Sequence, residues 1–191
     1  MPIEIKNVSK KFDDKTVIQN LSYTFPEKGV VAITGVSGVG KTTLVHMILG
    51  LETADSGEIS GNDIKFSVVF QENRLVPVLS ARNNILFVFE NHKSEESFNK
   101  ATEMLNSVGL KGEENTYPKE LSGGMARRVA IARALCQEGT LVLDEPFKEI
   151  DEQNRKNILP LIKERSQKDL VIIVTHNPDD ITDLNAIELK L

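Results

Sequence analysis

Gly35-Val36-Ser37-Gly38-Val39-Gly40-Lys41-Thr42 follows the apolar run Val30–Ile33 and precedes a stretch with helical patterning, and this succession of strand, glycine loop and helix decides the fold. The glycines let the backbone curl so that successive N–H groups face an anion, and the following helix adds its positive end. Lys41 supplies a point charge for the β- and γ-phosphates of a nucleotide, and the Thr42 hydroxyl is placed to ligate Mg2+. A plain glycine turn between strand and helix requires neither the lysine nor the hydroxyl.

Outward from this loop, two strand patterns alternate. Ile3/Ile5 and Leu21/Tyr23/Phe25 place apolar residues at every second position, the mark of a half-buried antiparallel sheet. Val30–Ile33, Val68–Phe70, Leu141–Leu143 and Leu170–Val174 are short and rich in β-branched residues, which suits strands covered on both faces. Helical stretches fall between them at Lys41–Leu49, Glu95–Val108, Gly123–Leu135 and Glu152–Gln167. The expected fold is α/β: a P-loop NTPase core, a small N-terminal antiparallel β lobe and an inserted α-helical lobe. We expect a single domain over residues 1–191, with the core and β lobe drawn from 1–71 and 136–191 and the helical lobe from 72–135.

Composition narrows the function classes. Forty per cent hydrophobic and 27 per cent charged residues describe an ordinary folded chain. A net charge of −5, from 23 basic and 28 acidic residues, argues against a nucleic-acid-coating role. Cys136 stands alone, which excludes an internal disulfide and fits a reducing cytoplasm. The longest apolar runs, such as Ile85–Phe89, fall far short of the ~20 residues that cross a bilayer. The opening MPIEIKNVSKKF carries charge where a secretory signal needs an apolar run, so none is expected. Any membrane work is expected to pass through a partner.

A second motif, Leu141-Val142-Leu143-Asp144-Glu145-Pro146, ends an apolar strand in two adjacent carboxylates. Asp144 reads as the acid on the Mg2+ side of a P-loop site. Glu145 is then available to orient, or take a proton from, the water that attacks the γ-phosphate. Without the glycine loop the pair would read as solvated charges at a strand end.

The third motif is Leu121-Ser122-Gly123-Gly124-Met125, followed by Ala126-Arg127-Arg128-Val129-Ala130-Ile131-Ala132-Arg133-Ala134-Leu135. Ser122 is suited to cap a helix, and the glycines open its N-terminal amides to an approaching ligand. The run closely resembles the signature of ATP-binding cassette (ABC) ATPases, and the remaining family elements stand in the same order over essentially the whole chain. The resemblance implies that Gly35, Val36, Ser37, Gly38, Val39, Gly40, Lys41, Thr42 and Thr43 bind ATP, with Thr42, Asp144 and Gln71 on Mg2+. It implies that Gln71 is the Q-loop glutamine, Glu145 the catalytic carboxylate that acts on the attacking water, and His176 the switch histidine contacting the γ-phosphate, with Lys41 also in the catalytic set. Phe12 lies where the family stacks an aromatic ring on adenine, with Tyr23 as a nearby alternative. Ser122, Gly123 and Gly124 would complete the ATP site of a second copy, and Asp151 matches the D-loop aspartate at that dimer interface.

The departures concern contacts rather than chemistry. Phe147-Lys148-Glu149-Ile150 replaces the small residues that usually precede the D-loop aspartate, so an altered interface contact is expected. Met125 stands where glutamine is commonest, Gly57–Phe70 is short, implying a trimmed β lobe, and no appended regulatory domain is expected after His176. Val69-Phe70-Gln71-Glu72-Asn73-Arg74-Leu75-Val76-Pro77 and Tyr117-Pro118 are similar to importer cassettes of the nitrate, sulfonate and taurine group. The resemblance implies an ATP-hydrolysing subunit, peripheral on the cytoplasmic face, working as a dimer beneath integral-membrane transporter subunits and, through them, an extracytoplasmic substrate-binding protein. An export cassette or a soluble nucleotide-gated switch stays open as an alternative. Residues 71–89 are expected to carry the membrane partner, through apolar side chains around Pro77.

Overall fold

The computed structural model describes residues 2–13 and 15–191. Its strands are β1 (Glu4–Phe12), β2 (Lys15–Thr24), β3 (Gly29–Thr34), β4 (Ser56–Ser60), β5 (Phe66–Val69), β6 (Thr140–Asp144), β7 (Leu170–Val174) and β8 (Ile187–Lys190). The helices are α1 (Lys41–Ile48), α2 (Ala81–Leu86), α3 (Glu95–Ser107), α4 (Gly123–Leu135), α5 (Glu152–Ser166) and α6 (Pro178–Leu184), with a 3-10 turn at Pro118–Glu120.

Strands β5-β6-β7-β3-β8 form a parallel sheet in that order. Side-chain alternation gives it two apolar faces. Val30, Ala32, Leu141, Leu143, Val171 and Ile173 enter the core shared with α2–α6. Val31, Ile33, Val142, Leu170, Ile172 and Val174 enter the core shared with α1 and the antiparallel sheet β2-β1-β4. Within that second sheet Phe25 is buried and Tyr23 packs edge-on against it at 4.9 Å between ring centroids.

Between β5 and β6 the chain is helical, and α2, α3 and α4 pack on one another while α4 also meets β5. Most helices start on a polar cap: Ser80, Ser94, Ser122 and Asp151 each accept the backbone N–H three residues on. Helix α1 differs. It starts at Gly40 with φ 113° and no side-chain cap, which leaves its first N–H donors facing the glycine loop.

The sequence pattern did not reveal β4, β8, α2 or α6. Strand β8 is held by its pairing with β3 and by Thr34, whose hydroxyl donates to Glu188 Oε1 at 2.6 Å. Helices α2 and α6, of six and seven residues, lie below the length at which helical periodicity declares itself.

Candidate functional site

Register places the chemistry at one edge of the parallel sheet. Ile33 pairs with Val174, Asp144 with Val174 and Val69 with Leu143, so the carboxyl ends of β3, β7, β6 and β5 open side by side. The residues that follow these ends are the glycine loop, Thr175-His176, Glu145 and Phe70-Gln71. A cleft of about 250 Å³ is lined by Val17, Ser37, Gly38, Gly40, Lys41, Thr42, Thr43, Gln71, Asp144, Glu145 and Val174.

The loop closes tightly against β2. A methyl group at Gly40 would stand 2.8 Å from Val17 O, at a φ that side chains rarely adopt. Lys41 Nζ donates to Gly35 O at 2.8 Å and Val36 O at 3.2 Å, which fixes the ammonium across the loop. Val36 is itself largely exposed. Lys15 Nζ reaches Gly38 O at 3.5 Å, a contact that no motif announced.

Asp144 is buried, and burial pushes its carboxyl up from the ordinary value, with Thr42 as the partner that pulls it down. Thr42 Oγ1 donates to Asp144 Oδ2 at 3.3 Å. A buried carboxylate whose one side-chain hydrogen-bond donor is a hydroxyl keeps oxygen lone pairs free, and a threonine–aspartate oxygen pair suits Mg2+.

Glu145 has φ 50°, a left-handed conformation costly for an L residue and typical of strained functional sites. Its N–H donates to Val174 O at 3.0 Å, so the turn is anchored to β7 while the carboxylate swings toward His176. His176 Nδ1 lies 3.0 Å from Glu145 Oε1 and 2.9 Å from Oε2. A buried relay steadies the histidine's backbone: Thr175 Oγ1 donates to Asp180 Oδ2 at 2.5 Å and accepts from Asn177 N at 3.0 Å. Arg155 Nη2 holds the other oxygen of Asp180 at 2.9 Å.

Sequence reasoning overlooked Arg127. Its guanidinium is buried and donates to the carbonyls of Phe70 and Asp144, to Gln71 O at 3.2 Å, Glu145 O at 2.8 Å and Pro146 O at 3.3 Å, and to Asn73 Oδ1 at 3.3 Å. The signal was available: buried Ala130, Ile131 and Ala134 follow Arg127 three, four and seven residues on, which puts it on the core face of α4.

Other expected residues stand apart. Ser122, Gly123, Gly124 and Asp151 do not line the cleft. Ser122 Oγ accepts Met125 N at 3.2 Å, and Asp151 caps α5, accepting from Asn154 N at 2.9 Å and Asn154 Nδ2 at 2.7 Å. These bonds hold the Asp151 carboxyl below its ordinary value. Phe12 is 45% exposed at the end of β1 and also lies outside the cleft lining, whereas Tyr23 belongs to the core. Around Pro77, Val76 and Leu79 are half-buried, and the buried Asn84 side chain bonds Val76 N, Val76 O and Leu79 O. Val78 and Phe87, 79% and 69% exposed, are the outward apolar groups at the two ends of α2.

The sequence profile of the ABC transporter family matches residues 18–148, more than half of the chain. This chain belongs to the ABC transporter family. Among curated relatives of this ABC cassette, the aliphatic sulfonates import ATP-binding protein SsuB of Bacillus subtilis is 39% identical over 175 residues, covering 86% of this chain and 68% of the relative. The sulfate/thiosulfate import ATP-binding protein CysA of Mannheimia succiniciproducens is 36% identical, covering 97% of this chain and 57% of the relative. The chain thus spans little more than half the length of the CysA protein and about two thirds of SsuB. The dimeric structure of MJ0796, a bacterial ABC transporter cassette, superposes with a TM-score of 0.85 at 30% identity, covering 98% of this chain and 94% of that one. A dimeric post-hydrolysis state of the same cassette, bound to ADP and Pi, gives 0.84 at 29% identity, with the same coverage of both chains. Family and fold together make this ABC cassette a nucleotide-binding ATPase.

Proposed function

We propose that this cassette is the ATP-hydrolysing subunit of an importer, in which two copies close on shared ATP and drive separate membrane subunits from the cytoplasmic face. The observation that carries the reading is the convergence of Lys41, Thr42, Asp144, Glu145 and Gln71 on one cleft, with His176 bonded to Glu145. Lys41 and the amides at the start of α1 bind and orient the β- and γ-phosphates. Glu145 orients the attacking water and receives its proton, and His176 holds the carboxylate in place for that step. Thr42 and Asp144, with Gln71, would hold Mg2+, which when bound offsets the charge that builds on the phosphate oxygens.

That Ser122, Gly123 and Gly124 lie outside the cleft supports the sharing of each site between two chains. The importer assignment rests on the import ATP-binding relatives. The membrane partner is assigned to the surface bearing Val78 and Phe87, in a chain where no helix among the described residues is long and apolar enough to cross a membrane. Adenine stacking by the exposed Phe12, and a lobe boundary near residues 72 and 135, belong to the same reading. An extracytoplasmic substrate-binding protein would join through the membrane subunits.

Mixed dimers test the shared site. Lys41→Ala and Ser122→Arg each damage both sites of their own homodimer, and each is expected to be nearly inactive alone. In the mixed dimer both lesions fall on one composite site, so hydrolysis should partly return. The double mutant mixed with wild type carries one lesion in each site and should stay inactive. Verified mixed dimers that bind ATP but show no rescue would refute the arrangement.

A further inference from the structure

Glu149 lies in the turn between β6 and α5, with φ 65°. Its side chain folds back on the start of α4. A methyl group at Gly123 would run into Glu149 Oε2, and one at Gly124 into Glu149 O. Gly124 therefore has a reason for lacking a side chain within a single copy, because it meets the backbone of this turn, whereas Gly123 meets only the movable end of the Glu149 side chain. Oε2 is placed against the N-terminal end of a 13-residue helix, where the aligned peptide dipoles favour an anion. Glu149 is exposed, so the contact can be released without opening the core.

Resting on the shared-site reading above, we propose that Glu149 sets the ATP concentration at which two copies close. In a closed pair the γ-phosphate held by the partner subunit's glycine loop must approach the Ser122-Gly123-Gly124 end of α4. The Glu149 carboxylate already lies beside that end, against Gly123. Two anions cannot share one helix end without repulsion, so each ATP has to displace the internal carboxylate before it is sandwiched. Glu149 is thus a specificity-determining residue for the nucleotide threshold, acting on pairing and not on bond cleavage.

The test uses Glu145→Gln as the parent, because loss of the proton acceptor lets ATP-bound pairs accumulate. ATP-dependent pairing is followed by light scattering in the parent, in Glu145→Gln/Glu149→Gln and in Glu145→Gln/Glu149→Ala. Glutamine keeps the size of Glu149 and removes its charge. The half-maximal ATP concentration is expected to fall roughly three- to tenfold in both variants, as suits one exposed charge per site. The gap from the parent should narrow in high salt. Pairing that appears only in the Glu149 variants would support the proposal as strongly. Pairing in the parent with an unshifted midpoint in the glutamine variant overturns it, and a fall in the alanine variant alone shows that bulk, not charge, is at work. Absence of pairing in all three chains sinks the shared-site reading and this proposal together.

Discussion

Replacing Arg127 with methionine should destabilise the nucleotide-free cassette by about 3–5 kcal/mol. Arg127 is 3% exposed, and its guanidinium bonds both the segment Phe70–Asn73 and the segment Asp144–Pro146. Severed hydrogen bonds to a charged donor are worth ~1.5–3 kcal/mol each, so a simple sum over the six bonds of the fork would reach roughly 9–18 kcal/mol. Two effects reduce it. Burial already disfavours the charged form of Arg127, lowering its pKa, and methionine retains most of the aliphatic packing. At about 2–4 °C per kcal/mol for a chain of this size, the melting temperature should drop by roughly 6–20 °C. Calorimetry or urea unfolding without nucleotide reads this directly. Arg127→Lys keeps the charge but cannot span both segments with a planar fork, and should recover about half of the loss. A methionine variant melting within about 2 °C of wild type, or a lysine variant equal to wild type, would refute the role assigned to the fork.

The other predictions concern the site and its surroundings. Asp144 has a folded pKa raised by burial, so it favours folding below its unfolded pKa and that contribution is lost as pH rises through the folded value. Asp144→Asn should therefore stabilise the nucleotide-free chain at neutral pH by on the order of 1 kcal/mol while abolishing turnover, with the gain shrinking in acid; an equal gain at pH 4 and pH 7 would refute the cause. His176→Ala should lower phosphate release by about 100-fold while nucleotide titration shows near-normal affinity, and weakened binding would instead place His176 in ground-state recognition. Val78→Asp and Phe87→Asp should spare hydrolysis by the isolated chain and uncouple it from the membrane partner, measured as transport in reconstituted vesicles; loss of both activities would signal misfolding. Charge at Val76 or Leu79 should instead lower stability, since both are half-buried over Asn84.

The legible part of the sequence was the part where backbone conformation, charge and periodicity agree. Gly35 to Thr42 declared both a fold and a chemistry because each residue type answers a local demand. The long helices α3, α4 and α5 began where Ser94, Ser122 and Asp151 could cap them. Illegible features were those decided by distant partners. An arginine inside a helix reads as solvent-facing by default, yet Arg127 is drawn inward because two loops from opposite ends of the lobe present unpaired carbonyls to one point. Val76 and Leu79 looked like surface because Pro77 marks a loop, and only the buried amide of Asn84 folds that loop inward.

Placement along α4 ties these observations together. Ser122, Gly123 and Gly124 begin the helix beneath Glu149, and Arg127, about one turn further, bonds the backbone of Gln71 and Glu145. A helix is stiff over one turn, so a force at its first residues reaches the guanidinium with little lost to bending. The turn over the signature glycines and the backbone of Glu145 are therefore both held against a single rigid element. The same element packs against α2, at whose ends Val78 and Phe87 face outward. The turn of Glu149, the backbone of Glu145 and helix α2 thus all take their positions from α4.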